Sequence, residues 1–115
     1  MSHEFLDYVE DIIDAMDKAE IALTGVDFDR FSEDFIINFA VARALEIVGE
    51  ATKRVPPEIR MAYPAVPWRN MAGIRDRIIH GYENVNLRIL WDVVKQEIPD
   101  IKPHLQQILQ DYEGQ

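Results

Sequence analysis

Apolar side chains recur every three or four residues along most of this 115-residue chain, and this helical period is the feature that most constrains its fold. The first such segment extends from Ser2 to about Thr24, and Gly25 follows as a residue suited to ending a helix. No segment shows the sustained alternation of apolar and polar residues that predicts a half-buried strand. The sequence therefore predicts an all-α protein that begins with a long amphipathic helix.

A second helix is predicted from Ser32, which can serve as its N-cap, to about Arg54. Phe28 and Phe31 would then lie in the connection that precedes it. The apolar arc of this helix is wide and includes small residues, which favours close packing against several neighbours. We therefore expect the second helix to occupy the centre of a bundle.

Prolines divide the second half of the chain. Four of them fall between positions 56 and 67, so this segment is predicted to be a stiff connector with at most one or two helical turns. Trp68 then begins a third long helix, for which Gly81 is the natural end. Asn86 can cap a fourth helix, and Pro99 permits a fresh start into a fifth. The prediction is one domain, residues 1–115, built as an antiparallel bundle of four or five helices.

Charge is distributed unevenly along the chain. The formal net charge of −9 argues against sequence-independent binding of nucleic acid by the whole surface. Residues 53–88, however, contain seven basic and three acidic side chains, a local net charge of +4 that leaves −13 for the remainder. This arginine-rich middle predicts one local site for an anion such as a phosphate group.

Two further properties exclude classes of protein. The chain contains no cysteine, which excludes a disulfide framework, a cysteine nucleophile and a thiolate zinc site. The N-terminus carries no basic leader, and no apolar run approaches the ~18 residues of a membrane span. We expect a soluble, cytoplasmic protein that makes no contact with a membrane.

The densest polar cluster on a helical segment lies between Arg75 and Tyr82. Arg75 and His80 are five residues apart, about 140° around a helix, so they do not form an i, i+4 metal-binding pair. In the last helical turn, His80 would titrate near neutrality, because the helix dipole favours its cation and nearby arginines oppose it. Imidazole, guanidinium and a phenolic ring are the parts of a metal-independent RNA-cleaving site, and they imply no metal or other cofactor.

The same residues also fit a purely structural interpretation. Arg75 and Arg77 could be solvated helix arginines, with His80 doing no more than ending the helix, and spacing alone leaves both interpretations open. Cleavage of RNA by acid–base chemistry needs a proton acceptor and a proton donor, whereas His3 and His104 lie in contexts typical of helix surfaces. A two-fold dimer that brings two His80 side chains together would supply both groups.

The segment Arg75-Asp76-Arg77-Ile78-Ile79-His80-Gly81-Tyr82 matches the pattern R-x4-H-x-Y. In this it resembles the HepT-like HEPN-domain toxins, which are ribonuclease partners of minimal nucleotidyltransferase antitoxins. The flanking sequence resembles the same family over nearly the whole chain. The matching motifs are Gly49-Glu50-Ala51, Pro67-Trp68, Gly73-Ile74-Arg75 and Leu90-Trp91.

The resemblance implies a HEPN-type fold and a role for each residue of the motif. Arg75 and His80 would be the catalytic pair, supported by Asp76 and Arg77, with RNA as the substrate. Asp76 stands where the family more often has asparagine, which lowers the local positive potential. Tyr82 would be the residue to which the partner nucleotidyltransferase transfers AMP. The family's homodimer, with two motifs facing one cleft, agrees with the shortage of histidine in one chain.

Two functions from different classes are consistent with this pattern. The first is an endoribonuclease toxin that cuts tRNA or mRNA and leaves a 2′,3′-cyclic phosphate. The second is a non-catalytic helical partner that binds or presents substrate to a nucleotidyltransferase. The presence of Arg75, His80 and Tyr82 together favours the enzyme, because a scaffold needs none of them, although an inactive, decayed toxin remains a third possibility.

Overall fold

A computed structural model describes residues 3–80 and 84–113, and within these ranges the protein is almost entirely helical. The all-α prediction is confirmed, with one short antiparallel ribbon as the exception. The helices of the first half are α1 (Phe5–Ala22), α2 (Phe28–Glu33), α3 (Phe35–Lys53) and α4 (Pro57–Ala62). Then follow α5 (Trp68–Ala72), α6 (Ile74–Ile78), β1 (Ile79–His80), β2 (Asn84–Val85), α7 (Leu87–Asp92), a π-helical segment (Val93–Glu97) and α8 (Ile98–Asp111).

Helix α3 begins later than the sequence predicts, and a separate short helix precedes it. Asp27 caps α2 by accepting a hydrogen bond from the backbone N–H of Arg30 at 2.9 Å. Asp34 caps α3 in the same way. The prediction of one helix starting at Ser32 is therefore wrong, because two aspartate caps compete with that serine and each starts its own helix. Phe31 lies in α2, not in a connection, and is completely buried.

Helices α3 and α8 both pack antiparallel to α1. The Arg54 guanidinium, just beyond the end of α3, lies 5.8 Å from the ring centroid of Tyr8 near the start of α1. Lys102 of α8 reaches the carboxylates of Asp17, at 2.7 Å, and Glu20 in the second half of α1. The apolar faces of these helices meet in a common core, to which α5, α6 and α7 contribute further buried side chains. The predicted antiparallel bundle with α3 at its centre is confirmed.

The proline-rich connector is held by specific hydrogen bonds. Pro57 occupies the first turn of α4, where its missing N–H leaves no acceptor unsatisfied. The Arg60 guanidinium donates to the backbone carbonyls of Val55 at 3.0 Å and Thr52 at 2.8 Å. These contacts join the connector to carbonyl groups in the last turn of α3 and just beyond it.

The last two predicted boundaries also differ from the structure. The helix predicted from Trp68 to Gly81 is divided at Gly73 into α5 and α6, and it ends at Ile78. A helix does start where Pro99 predicts it, since α8 begins at Ile98 with Pro99 in its first turn, but it follows α7 and the π-helical segment without an intervening loop. Among the helices described, none is both long enough and apolar enough to cross a membrane.

Candidate active site

Helix α6 presents Arg75 and Asp76 on the surface of the protein. Its other face carries Ile74 and Ile78, which are buried against α3 and so fix the helix in place. Gly49 of α3 permits this close approach, because a Cβ atom there would lie only 3.1 Å from a methyl group of Ile74. Arg75 and Asp76 are exposed, and neither forms an ion pair with any residue in the described ranges. An unpaired guanidinium in water remains available to bind a phosphate.

His80 lies in a strand and not in a helix. The chain leaves the helical conformation after Ile78, and β1 pairs antiparallel with β2 so that His80 is opposite Asn84. The backbone N–H of Asn86 then donates to the carbonyl of Ile78 at 2.6 Å and closes the ribbon against α6. The β-branched pair Ile78-Ile79 suits this change, because such side chains fit extended backbone better than a helix.

The prediction that His80 occupies the last turn of a helix is therefore wrong. The 140° separation between Arg75 and His80 does not apply, and the argument from a helix dipole loses its basis. What the backbone does show is that Arg75 lies on α6 and His80 on the strand that directly continues it. The predicted catalytic pair thus lies across a helix-to-strand junction. Tyr82, the predicted site of modification, lies outside the described residues, as does Gly81.

Arg77 is bound to an acidic partner from a distant part of the chain. Its Nη1 and Nη2 atoms donate to Oε1 and Oε2 of Glu97 at 3.0 and 2.8 Å, a bidentate pair in which both side chains are 36% exposed. The hydrogen bond to Glu97 holds the pKa of Arg77 above its ordinary value, against a smaller opposing effect of partial burial. Arg77, which the sequence suggests as a supporting residue, therefore ties α6 to the π-helical segment.

The π-helical segment has an identifiable cause. Pro99 has no N–H to donate to the carbonyl of Lys95, four residues before it, and the N–H of Ile98 instead bonds to Val93, five residues before it. Glu97 lies at the end of this wider turn. Sequence analysis missed Glu97, because it is twenty residues from Arg77 and no helical spacing connects them; Pro99 was the available signal for a distorted helix.

The other candidate residues lie elsewhere. The His3 ring packs edge-on against Phe5 and Tyr112, with centroids 5.9 and 5.3 Å apart, and His104 is exposed on α8. Neither histidine belongs to the elements that carry Arg75 and His80. In the parts of the chain that the structure describes, no three histidine, aspartate or glutamate side chains converge in an arrangement that could bind a metal ion.

Comparisons with known proteins identify what this chain resembles. The sequence model of a family described as "Ribonuclease HepT-like" matches residues 12–108. A protein of Thermococcus cleftensis named as a probable ribonuclease HepT is 43% identical over 102 residues, which cover 89% of this chain and 93% of the relative. A protein of Methanocaldococcus jannaschii named as a candidate RNase is 38% identical over 112 residues, covering 97% of this chain and 87% of the relative. No solved structure gives a significant match.

Proposed function

The chain belongs to the HepT-like ribonuclease family, and from this premise we propose that it is the endoribonuclease toxin of a toxin–antitoxin pair. Membership in the family accounts for ribonuclease activity as a class. The proposal adds that cleavage needs no metal ion, that two protomers form the site, and that a partner nucleotidyltransferase neutralises the toxin. The substrate class is RNA, either tRNA or mRNA.

One observation carries the catalytic proposal, namely the different use of two neighbouring arginines. Arg77 is neutralised by Glu97 in a bidentate ion pair, which fixes α6. Arg75, two residues earlier on the same short helix, is exposed and has no acidic partner in the described chain. A fixed helix that carries one uncompensated guanidinium next to the strand of His80 favours binding of a phosphate at that junction.

The proposed reaction is transfer of the phosphodiester to the neighbouring hydroxyl. His80 of one protomer removes the proton from the ribose 2′-hydroxyl, and the oxygen attacks phosphorus. Arg75 stabilises the negative charge that develops on the phosphoryl oxygens. His80 of the second protomer gives a proton to the departing 5′-oxygen. The products are a 2′,3′-cyclic phosphate and a 5′-hydroxyl end, and the two histidines have exchanged protonation states.

The surface at the start of α3 supports the dimer. Phe35, Ile36 and Phe39 are 63%, 70% and 67% exposed, which is unusual for large apolar side chains grouped on one helix. The rings of Phe35 and Phe39 touch, with centroids 5.7 Å apart. We propose that a second copy of the chain covers this patch, with the two α3 helices antiparallel about a two-fold axis that passes through the patch.

Charges at the two ends of the patch fit this arrangement. Glu33 at the end of α2 and Arg43 on α3 lie beyond the two ends of the patch, so an antiparallel two-fold arrangement would bring Glu33 of each protomer toward Arg43 of the other. Glu33 forms no ion pair within the described ranges. Arg43 reaches Glu50 and Glu46 only at 3.5 and 3.8 Å, in an exposed and therefore weak arrangement. The patch is thus complementary to itself.

Charge reversal tests the dimer. Glu33→Arg and Arg43→Glu should each weaken association, because each places like charges in contact twice in a symmetric dimer. The double variant Glu33→Arg/Arg43→Glu should restore association, since both contacts are then reversed together. Sedimentation velocity gives the association state of all three variants, with Lys18→Glu on α1 as control. Failure of the double variant to recover, or a wild type that cleaves RNA as a monomer, would contradict the proposal.

Substitution of His80 tests the chemistry. His80→Ala should reduce cleavage of RNA by a factor of about 10² to 10⁴, the usual contribution of a general acid or base. His104→Ala is the matched control and should retain full activity, because His104 is exposed on α8. Cleavage should persist in EDTA, and the products should carry a 2′,3′-cyclic phosphate. Complete inhibition by the chelator would point to a metal-dependent mechanism instead.

Regulation by AMP transfer to Tyr82 is supported by the motif and rests on it alone. An adenylylated tyrosine would add an anionic phosphodiester and a purine next to Arg75 and His80, at the place that RNA needs. Incubation with the partner nucleotidyltransferase, ATP and magnesium should increase the intact mass of wild type by one AMP and leave Tyr82→Phe unchanged. Equal modification of both proteins would remove Tyr82 from the mechanism.

A further inference from the structure

Aromatic rings and cations combine on the surface where α2 meets α7. Phe28 and Trp91 are partly exposed and pack edge to face, with centroids 5.6 Å apart and planes at 83°. Both rings also contact Phe31, which is completely buried, at 6.2 and 5.5 Å. The two outer rings are therefore held rigidly by the core. Together with Arg88 and Lys95 we call them the aromatic surface.

Each outer ring carries a cation. The Arg88 guanidinium carbon lies 4.7 Å from the centroid of Phe28, and the Lys95 ammonium lies 5.1 Å from the centroid of Trp91. Arg88 also approaches the carboxylate of Asp92 at 3.5 Å, in a pair exposed to solvent. Cation–π contacts and ion pairs at exposed sites are weak, so either cation can turn toward a ligand phosphate and leave the ring accessible.

Helix α7, which carries Arg88 and Trp91 of the aromatic surface, begins directly after the ribbon that contains His80. Asn86 bonds to Ile78 through its backbone N–H, and its side-chain oxygen accepts a hydrogen bond from the N–H of Ile89 at 3.0 Å to cap α7. Arg88 lies two residues beyond this cap, within the first turn of α7. The π-helical segment that contains Lys95 also contains Glu97, the partner of Arg77. One helical stretch thus connects the aromatic surface to both α6 and β1.

We propose that the aromatic surface binds unpaired RNA next to the scissile phosphate, with bases stacked on Trp91 and Phe28 and backbone phosphates bound by Arg88 and Lys95. Flat rings flanked by cations recognise single strands, because every base has a face that can stack, whereas duplexes bury those faces. The chain has a net charge of −9, so binding depends on local groups of this kind. The inference rests on the proposed ribonuclease function and adds to it a preference for single-stranded substrate.

Binding of an uncleavable oligonucleotide tests the surface apart from catalysis. A 2′-O-methylated, fluorescently labelled single strand lacks the attacking hydroxyl, and its affinity can be measured by anisotropy at several salt concentrations. Arg88→Gln/Lys95→Gln changes two exposed side chains and should leave the fold intact. In the variant, log affinity should fall less steeply with log salt concentration. The magnitude of the slope should be smaller by about 1.4, or about 0.7 for each phosphate that the variant no longer neutralises. Lys18→Gln/Lys53→Gln removes the same charge elsewhere and should leave that slope unchanged.

Tryptophan fluorescence reports on the stacking itself. The chain has two tryptophans, and Trp68 is buried, so a Trp68→Phe background isolates the signal of Trp91. Single-stranded RNA should quench this signal, and a duplex of equal length should not. Trp91→Leu should weaken binding about five- to 150-fold, the range for loss of one stacked base. Circular dichroism shows whether Trp91→Leu keeps the wild-type helical content. If it does not, the binding measured for Arg88→Gln/Lys95→Gln is the test of the proposal.

The outcomes separate this inference from the proposed function. If wild type cleaves RNA and the glutamine pair binds with unchanged affinity and salt slope, the aromatic surface is not a binding site and the ribonuclease proposal stands. Quenching of Trp91 by duplex and single strand alike would overturn the preference for unpaired RNA. A wild type that neither cleaves RNA nor binds the methylated strand would overturn both.

Discussion

The proline-rich connector and the segment from α6 to α7 both lie in the basic middle of the chain, yet they use their arginines differently. In the connector, Arg60 donates to the carbonyls of Thr52 and Val55, and Arg54, which lies just before the connector, is over the ring of Tyr8. In α6, Arg77 forms a bidentate ion pair, while Arg75 has no acidic partner in the described ranges. The first region uses its positive charge for structure, and the second leaves part of its charge exposed to solvent.

This difference shows why a local net charge is a poor measure of an anion site. Residues 53–88 have a net charge of +4, but most of their cations already contact the protein. Three have no ion pair, side-chain hydrogen bond or ring contact among the described residues: Lys53, Arg69 and Arg75. Of these, Arg75 is the one that precedes the strand of His80. The useful quantity is therefore the number of cations without a protein partner near the proposed chemistry.

The largest expected effect follows from removing that cation. Arg75→Ala should reduce RNA cleavage by a factor of about 10² to 10³, comparable to loss of one preorganised donor for a developing oxyanion. The melting temperature should not change, because Arg75 has no ion pair, side-chain hydrogen bond or ring contact with any residue that the structure describes. Arg69→Ala is the matched control, because Arg69 on α5 is exposed and has no ion pair within residues 3–80 and 84–113, and this variant should retain activity. Equal losses in the two variants would mean that charge in general, and not this position, determines the rate.

The connector should respond in the opposite way. Arg60→Ala leaves two carbonyls at the end of α3 without their charged donor and should lower the free energy of unfolding by about 2 kcal/mol. Cleavage by the folded protein should be unchanged. Urea unfolding measures the first quantity, and initial rates well below the transition measure the second. Arg54→Ala, which removes only an exposed contact with Tyr8, should change stability far less; a similar loss in both would contradict the role assigned to the carbonyl contacts.

Arg77 lies on α6, next to the proposed site, but its charge is used for structure, as in the connector. Substitution of its partner Glu97 therefore tests both roles in one protein. Glu97→Gln keeps the shape of the side chain but removes its charge. It should lower the free energy of unfolding by only about 1 kcal/mol, because solvent screens this partly exposed ion pair. Cleavage should fall about tenfold, because α6, which carries Arg75, is then held less precisely against the π-helical segment. A double-mutant cycle with Arg77→Ala should show coupling in both quantities. Loss of stability without any change in rate would make the pair purely structural.

Helical periodicity predicted the fold class and the long helices, because α1 and α3 bury one continuous face against each other. It could not place the breaks. Ser32, Asp27 and Asp34 are all good caps, and only the burial of Phe31 selects the aspartates. The end of α6 at Ile78 depends on pairing between β1 and β2, which no local spacing indicates.

The candidate site likewise has a part that the sequence predicts and a part that depends on packing. The motif identifies Arg75, His80 and Tyr82 by their order in the chain, which does not depend on packing. The expectation that Arg77 supports the chemistry directly could not anticipate Glu97, because that contact joins residues twenty positions apart through a π-helical turn. Contacts distant in sequence therefore decide which member of a basic cluster stays available.

The smallest expected effect concerns pH and again belongs to the connector. The Tyr63 hydroxyl donates to Asp111 of α8 at 2.7 Å, and burial together with this hydrogen bond raises the pKa of Tyr63 from 10.0 to about 12. Because the folded protein retains this proton more tightly than the unfolded chain, the stabilisation is complete below pH 10 and is lost as the pH rises through 12. Wild type should exceed Tyr63→Phe by about 1 kcal/mol in unfolding free energy at pH 8, and the difference should vanish near pH 12. A difference in unfolding free energy that stays constant across this pH range would show that the hydroxyl contributes through packing alone. Cleavage of RNA at pH 8 should be equal in the two proteins, because the connector takes no part in the proposed chemistry.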